Sequence, residues 1–224
     1  MVLGIITSIA ACPAIIGTTE AVRQGQSQNK REQHRGRKSN LLVTCSDPSR
    51  KARDIHGGTI VLHDQKLYAT TVNPKIKLKN DSDDGQDPDR LDERGHLFAG
   101  YFFQYPDKKW GRRGDGYVTT IYDDPPQLNW VYVDKDTYEV KYGLKVDAEP
   151  HIVGPWNCTP IDKRLTFDGW EGFTVVEVEE NVWQLYFDYD DDGLEKKVPV
   201  HRRIMEIELT RKELRMQKGD PIIA

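Results

Sequence analysis

Cysteine is scarce in this sequence. Three of the 224 residues are cysteines, namely Cys12, Cys45 and Cys158, and no two of them form a CxxC pair. Thiols so few and so widely spaced do not form the disulfide framework that holds many small secreted domains together. The cysteine content therefore favours a reducing compartment.

Motifs for metal binding and catalysis are also lacking. None of the six histidines has a metal-ligand spacing such as HExxH. The segment DYDDDG (188–193) resembles the first half of a calcium loop, but Pro199 stands at the twelfth position, where such a loop needs a bidentate Glu. We predict a turn there, with no metal and no cofactor, and whether the protein is an enzyme is left open.

Long helical periods are missing between Asn40 and Arg211. Short runs rich in Val, Ile, Thr, Tyr, Phe and Trp alternate there with turn clusters, a pattern typical of antiparallel sheets. We predict one mainly-β domain over 40–211, built as a single antiparallel β-barrel or β-sandwich of about ten strands. The expected strands are 41–46, 58–64, 67–73, 97–104, 116–122, 128–134, 137–145, 173–179, 182–188 and 203–210.

Other segments of the chain differ from this pattern. Residues 79–95 are polar and acidic and are predicted to form a solvated loop within the domain. Residues 212–224 are expected to form a C-terminal tail, and 210–217 either form a helix or prolong the last strand.

The hairpins are the clearest local units. In LNWVYVDKDTYEVKYG (128–143), Tyr138, Val140 and Tyr142 alternate with Glu139 and Lys141. This alternation predicts one apolar face and one solvated face. Further reversals are expected at 64–65 and 180–181.

The predicted domain has no excess of positive charge. The net charge of the chain is −4, yet the first 40 residues hold six basic and two acidic groups. The remainder is therefore strongly acidic. Because an acidic surface repels phosphate backbones, we expect no nucleic-acid partner for the folded part.

The N-terminal end combines an apolar run with a basic stretch. Residues 1–22 are predicted to associate with a membrane or to pack on the domain, and 23–39 form a basic linker. Basic groups beside an apolar segment stay on the cytoplasmic side and attract anionic headgroups. We predict a cytoplasmic, membrane-associated protein with a membrane surface as partner of residues 1–38, although a cleaved signal remains an alternative. The membrane-proximal candidates are Cys12, Arg23, Lys30, Arg31, Arg35, Arg37 and Lys38.

Several segments are distinctive as strings. They are CPAIIGTTEAVRQGQ, HRGRKSNL, NWVYVDKDTYEVKYG, GPWNCT and FDGWEGF. With these segments the chain resembles a family of small fungal proteins predicted from ascomycete genomes, over nearly its whole length. The resemblance implies a fungal origin and carries no activity, fold or catalytic residue.

Aromatic residues are the candidates for ligand binding. The chain has five Trp and ten Tyr, more than a small core needs, so some are expected to line a pocket or a partner surface. The predicted ligand-binding residues are Trp130, Tyr132, Tyr142, Trp156 and Trp170. The alternative is ordinary core packing, and Trp170, which lies between two glycines, is the first to inspect for exposure.

Three functions remain open from the sequence. The first is a non-catalytic, membrane-associated β domain that binds a small apolar ligand or a protein partner. The second is an enzyme acting on a hydrophobic metabolite in a barrel pocket. The third is a secreted lectin-like protein, which would carry glycans on Asn80 or Asn157.

Overall fold

The computed structural model describes residues 34–71, 95–106, 110, 114–123 and 126–214. The chain divides into two units, Met1–Gly36 and Arg37–Ala224, and the fold described below is that of the second. The predicted segments 1–22 and 79–94, and most of 23–39 and 212–224, lie outside the described residues.

The described residues form fourteen short strands and two short helices. The strands are β1 (Ser39–Thr44), β2 (Ile60–His63), β3 (Lys66–Ala69), β4 (His96–Leu97), β5 (Gly100–Phe103), β6 (Gly116–Asp123), β7 (Pro126–Val133), β8 (Val140–Gly143), β9 (Trp156–Cys158), β10 (Leu165–Phe167), β11 (Phe173–Glu179), β12 (Val182–Phe187), β13 (Ile204–Glu206) and β14 (Glu208–Glu213). The helices are α1 (Arg50–Ile55) and α2 (Lys145–Ala148). The prediction of a mainly-β fold is confirmed.

Twelve of the strands belong to one antiparallel sheet. Its main path runs β13-β11-β12-β3-β8-β7-β6-β5-β1-β14, and β2 with β4 branches from β3. The two ends of the path, β13 and β14, are consecutive in the chain and are separated only by Ile207. The two ends of the path are therefore close together, as in a barrel-like fold, although no hydrogen-bonded pairing of the described residues joins β13 to β14 and closes the barrel. Strands β9 and β10 form a separate two-stranded sheet.

Tight turns fix the register of the hairpins. Asp64 and Gln65 connect β2 to β3 with φ values of 44° and 61°. Two consecutive residues with positive φ are the mark of a type I′ turn, whose twist matches that of the flanking strands. Asn181 likewise has a φ of 62° between β11 and β12. The reversals predicted at 64–65 and 180–181 are where the structure has them.

Two groups of buried side chains stabilise the domain. The larger group forms the core and includes Trp156, Trp183, Phe173 and Phe187. The smaller one contains Trp110, Trp130 and Tyr132 and lies against strands β6 and β7. Aromatic rings supply much of the buried area in both, which offsets the modest content of aliphatic residues.

Several element predictions were incomplete. Strands β9 and β10 and both helices were missed, because three to six residues are too few to show a period. Helix α1 instead has a local start signal, since Ser49 Oγ accepts a hydrogen bond from the Ala52 amide. The expected strands 97–104 and 203–210 are each divided in two. At the C-terminal end, residues 210–213 prolong the last strand.

Candidate functional site

An open cleft lies where the two ends of the sheet path meet. Its volume is about 760 Å³, and its walls come from the end of β1, the start of β11, the loop after β12 and the β13–β14 junction. The amide of Ile207 donates to the Phe173 carbonyl oxygen at 3.0 Å, which holds that junction against β11. Strand β13 pairs with β11 and β14 pairs with β1, and the cleft is lined by residues next to both pairings.

Trp170 stands at one wall of the cleft and is half-buried. It follows a tight turn in which Asp168 and Gly169 have φ values of 48° and 96°. Backbone hydrogen bonds of 3.0 and 3.3 Å connect Phe167 and Trp170 across this turn. The Asp-Gly pair is the usual sequence for such a reversal, so the local sequence sets the position of the indole.

Gly172 packs directly against the Trp170 indole. A Cβ added at Gly172 would overlap the Cη2, Cζ2 and Cζ3 atoms of Trp170. The ring of Phe187 supports the indole edge to face, at 5.2 Å between ring centroids. The Trp170 side chain is thus held in a defined orientation beside the cleft, as a stacking surface requires.

The loop after β12 forms the neighbouring wall, since the Asp188 amide donates to the Gly172 carbonyl oxygen at 2.8 Å. Asp188 is 8% exposed, and its carboxylate accepts hydrogen bonds from the amides of Asp192 and Gly193 at 3.3 and 2.7 Å. The hydroxyl of Tyr189 donates to Asp168 Oδ2 at 2.8 Å, so the loop is tied to the turn that carries Trp170. These contacts agree with the turn predicted over DYDDDG. Among the residues that the structure describes, no group of three or more His, Cys, Asp or Glu side chains is arranged to hold a metal ion.

The cleft has both polar and apolar lining residues and is negatively charged. Its described lining holds no Lys, Arg or His side chain, but hydroxyls from Thr44, Ser46 and Thr174 and six carboxylates. The carboxylates are those of Asp47, Glu171, Asp188, Asp191, Glu206 and Glu208. Hydrogen bonds from Ser49 lower the pKa of Asp47, which is therefore ionised at neutral pH.

A second set of carboxylates lies at β8 and the turn before it, and these are paired with lysines. Glu139 Oε1 accepts hydrogen bonds of 2.8 Å from Lys66 Nζ and from Gln184 Nε2. Lys141 Nζ lies 2.9 Å from Glu139 Oε2 and donates to Asp134 Oδ2 at 2.7 Å. We call Asp134, Glu139, Lys66, Lys141 and Gln184 the paired network.

The pairing controls the ionisation of both acids. Burial by itself would raise the pKa of Glu139, but hydrogen bonds from Lys66, Lys141 and Gln184 outweigh it and lower that pKa to about 2. Asp134 has the same balance, in which hydrogen bonds from Lys141 and two backbone amides lower its pKa to about 2. A fully paired network of this kind contributes to the fold rather than to ligand binding.

The prediction that Glu139 faces solvent was wrong. Glu139 is buried, with an exposed fraction of 8%. Strand β8 pairs with β3 through Lys66 and Lys141, and Glu139 bridges to Tyr186 of β12. Long polar side chains of the neighbouring strands therefore cover the face that the alternation marked as solvated.

The predicted ligand-binding aromatics are distributed over the molecule. Trp130 and Tyr132 belong to the smaller buried group, and Tyr142 and Trp156 belong to the core. Trp156 is 1% exposed, and its Nε1 donates to the Val131 carbonyl oxygen at 3.2 Å. Trp170 borders the cleft. Ligand contact by these five residues stays a prediction, and the structure does not bring them together in one place.

Residues of the cleft other than Trp170 were missed as candidates. Thr174, Asp191 and Glu206 lie on β11, in the loop after β12 and on β13, far apart in the sequence. Thr174 and Glu206 belong to no motif that would distinguish them from ordinary surface residues. The two signals in the sequence that pointed to this region were the DYDDDG segment, which contains Asp191, and Trp170 between two glycines.

The membrane-proximal candidates lie mostly outside the described residues, among them Cys12, Arg23, Lys30 and Arg31. Arg37 and Lys38, placed in the predicted linker, contact the last strand. Arg37 Nη1 lies 3.1 Å from Glu213 Oε2, and the Lys38 carbonyl oxygen accepts a 3.0 Å hydrogen bond from the Leu214 amide. No helix of the described residues is both long and apolar enough to cross a bilayer.

The fold and the cleft define an antiparallel β domain with a barrel-like sheet path and an open, negatively charged site. Residues 17–215 match the family described as "Fungal beta-trefoil domain". The chain belongs to this family, which confirms the fungal resemblance. No curated protein and no solved structure matches the chain. A β-trefoil domain is barrel-like and fits a non-catalytic binding or lectin-like role.

Proposed function

We propose that this protein is a non-catalytic, lectin-like domain that binds an oligosaccharide in the cleft beside Trp170. The observation that carries the proposal is the combination of a half-buried indole, hydroxyls and carboxylates along one open cleft. Sugars present apolar C–H faces that stack on aromatic rings, and hydroxyl groups that donate to carboxylates. The lining therefore offers both kinds of contact that a polyhydroxylated ligand makes.

The enzyme alternative has less support in this cleft. General acid–base catalysis needs a group whose pKa is matched to the reaction, most often a His. The described lining has no His, and the lowered pKa of Asp47 favours its ionised form. The strongly lowered pKa values of Asp134 and Glu139 belong to the paired network.

The test is binding of neutral oligosaccharides to the full chain, first on a glycan array and then by calorimetry. We expect Trp170→Ala to lower the affinity for the bound glycan about tenfold or more. The matched control is Phe103→Ala, because Phe103 is an exposed aromatic residue that packs on Trp130 rather than beside the cleft. Absence of binding to any glycan, or equal losses in both variants, would contradict the proposal.

We also propose that residues 1–38 associate with a cytoplasmic membrane surface. The support is the sequence alone, which places basic residues directly after an uncharged apolar run. Because Arg37 and Lys38 contact the last strand, substitutions in the full chain are a cleaner test than removal of 1–38. We expect Arg23→Gln, Lys30→Gln and Arg31→Gln together to reduce sedimentation with anionic vesicles, while neutral vesicles show no difference. Unchanged sedimentation would contradict the electrostatic part of the proposal.

A further inference from the structure

The cleft carries more negative charge than the binding of a neutral sugar requires. Six carboxylates line it, and the described lining provides no cation to balance them. Arg164, from the β9–β10 connection, lies 3.4 Å from Glu171 and 3.4 Å from Glu208 and partly neutralises these two. Arg203 also attracts the charge of Asp47. The carboxylates that no cation of the described residues neutralises are expected to attract a positively charged ligand.

The six carboxylates differ in how they are satisfied. Asp188 accepts hydrogen bonds from two backbone amides, and Asp47 accepts one from the Ser49 amide at 2.7 Å. Asp191 and Glu206 make no side-chain hydrogen bond or ion pair with the described residues, and both are exposed. These two carboxylates are therefore the ones open to a charged ligand.

Thr174 is a second, independent feature of the cleft that suits a polar ligand. This residue is 3% exposed and lines the cleft, yet its hydroxyl makes no hydrogen bond to the described residues. The Thr174 hydroxyl is therefore available to the open cleft. A ligand hydroxyl or amine that reaches Thr174 would form a hydrogen bond with it.

We propose that the cleft binds an oligosaccharide with free amino groups, whose ammonium groups lie near Asp191 and Glu206. This inference rests on the proposed lectin-like function and names the ligand class within it. A sugar ring stacks on Trp170, and Thr174 pairs with a polar group of the same ligand. An ammonium close to carboxylates gains Coulomb energy that a neutral acetamido sugar does not, and the gain decreases with added salt.

The test compares glucosamine oligomers with N-acetylglucosamine oligomers of equal length, by calorimetry on the full chain at low and high salt. We expect the amino form to bind about tenfold more tightly at low salt, with the difference shrinking at high salt. Combining Asp191→Asn with Glu206→Gln is expected to abolish this preference. The matched control combines Glu179→Gln with Glu180→Gln, which removes the same charge from exposed positions of the β11–β12 hairpin and leaves the preference intact.

Each remaining outcome has a distinct meaning. Equal affinity for both oligomers would contradict the preference for amino sugars but not the lectin-like function. Binding of neither overturns the amino-sugar inference, whereas the glycan array decides the lectin-like function separately. Spermine binding as tight as that of the glucosamine oligomer, and insensitive to Trp170→Ala, shows that charge alone is recognised and overturns the saccharide component.

Discussion

The paired network and the cleft both contain several acidic side chains, but they use them in opposite ways. In the network, Glu139 and Asp134 are surrounded by lysines, an amide and backbone donors at hydrogen-bonding distance. In the cleft, Asp191 and Glu206 face an open space. Charges that are paired inside a protein stabilise its fold, whereas charges left unpaired at a concave surface are available to a ligand. The predictions below test this difference.

The largest effect is expected from removing the charge of Glu139. Glu139→Gln keeps the size of the side chain but leaves Lys66 and Lys141 without their shared partner. Breaking such a partly buried pair is expected to lower the free energy of unfolding by about 3 kcal/mol. Urea denaturation measures this, with Glu180→Gln at the exposed hairpin as control. A loss below about 0.5 kcal/mol would place Glu139 among ordinary surface charges.

Acid is expected to weaken the same network. The pKa values of Asp134 and Glu139 are lowered to about 2 in the fold, from ordinary values of 3.8 and 4.5. Their contribution is therefore fully present above about pH 4.5 and is lost as the pH falls toward about 2. Denaturation curves between these pH values should show a smaller decrease for Glu139→Gln than for the unsubstituted protein. Parallel decreases would contradict the assignment.

A medium effect is expected on ligand binding from Gly172→Ala. The added methyl group would overlap the Trp170 indole and force the ring away from its position beside the cleft. We expect about tenfold weaker binding of the glycan that the array identifies, although Trp170 itself is still present. Gly169→Ala is unsuitable as a control because Gly169 has a φ of 96°, so Phe103→Ala serves again. Unchanged affinity would show that the orientation of Trp170 is not important.

The smallest effect on stability is expected in the cleft. Asp191→Asn and Glu206→Gln remove charges that have no side-chain partner among the described residues. Substitutions of this kind usually change the free energy of unfolding by less than about 0.5 kcal/mol. The melting temperature of the double variant, compared with that of Glu139→Gln, measures the contrast directly. A large decrease would mean that the cleft carboxylates are structural.

The sequence alone determined the mainly-β character of this protein and several of its turns. Apolar residues at alternate positions and turn residues such as Asp64-Gln65 act locally, so their effect is visible without a partner strand. The burial of Glu139 was decided by β3 and β12, which are distant in sequence from β8 and cover its polar face. The cleft was likewise decided by the tertiary structure. Its residues come from four parts of the chain, and the pairing of β13 with β11 and of β14 with β1 brings them together.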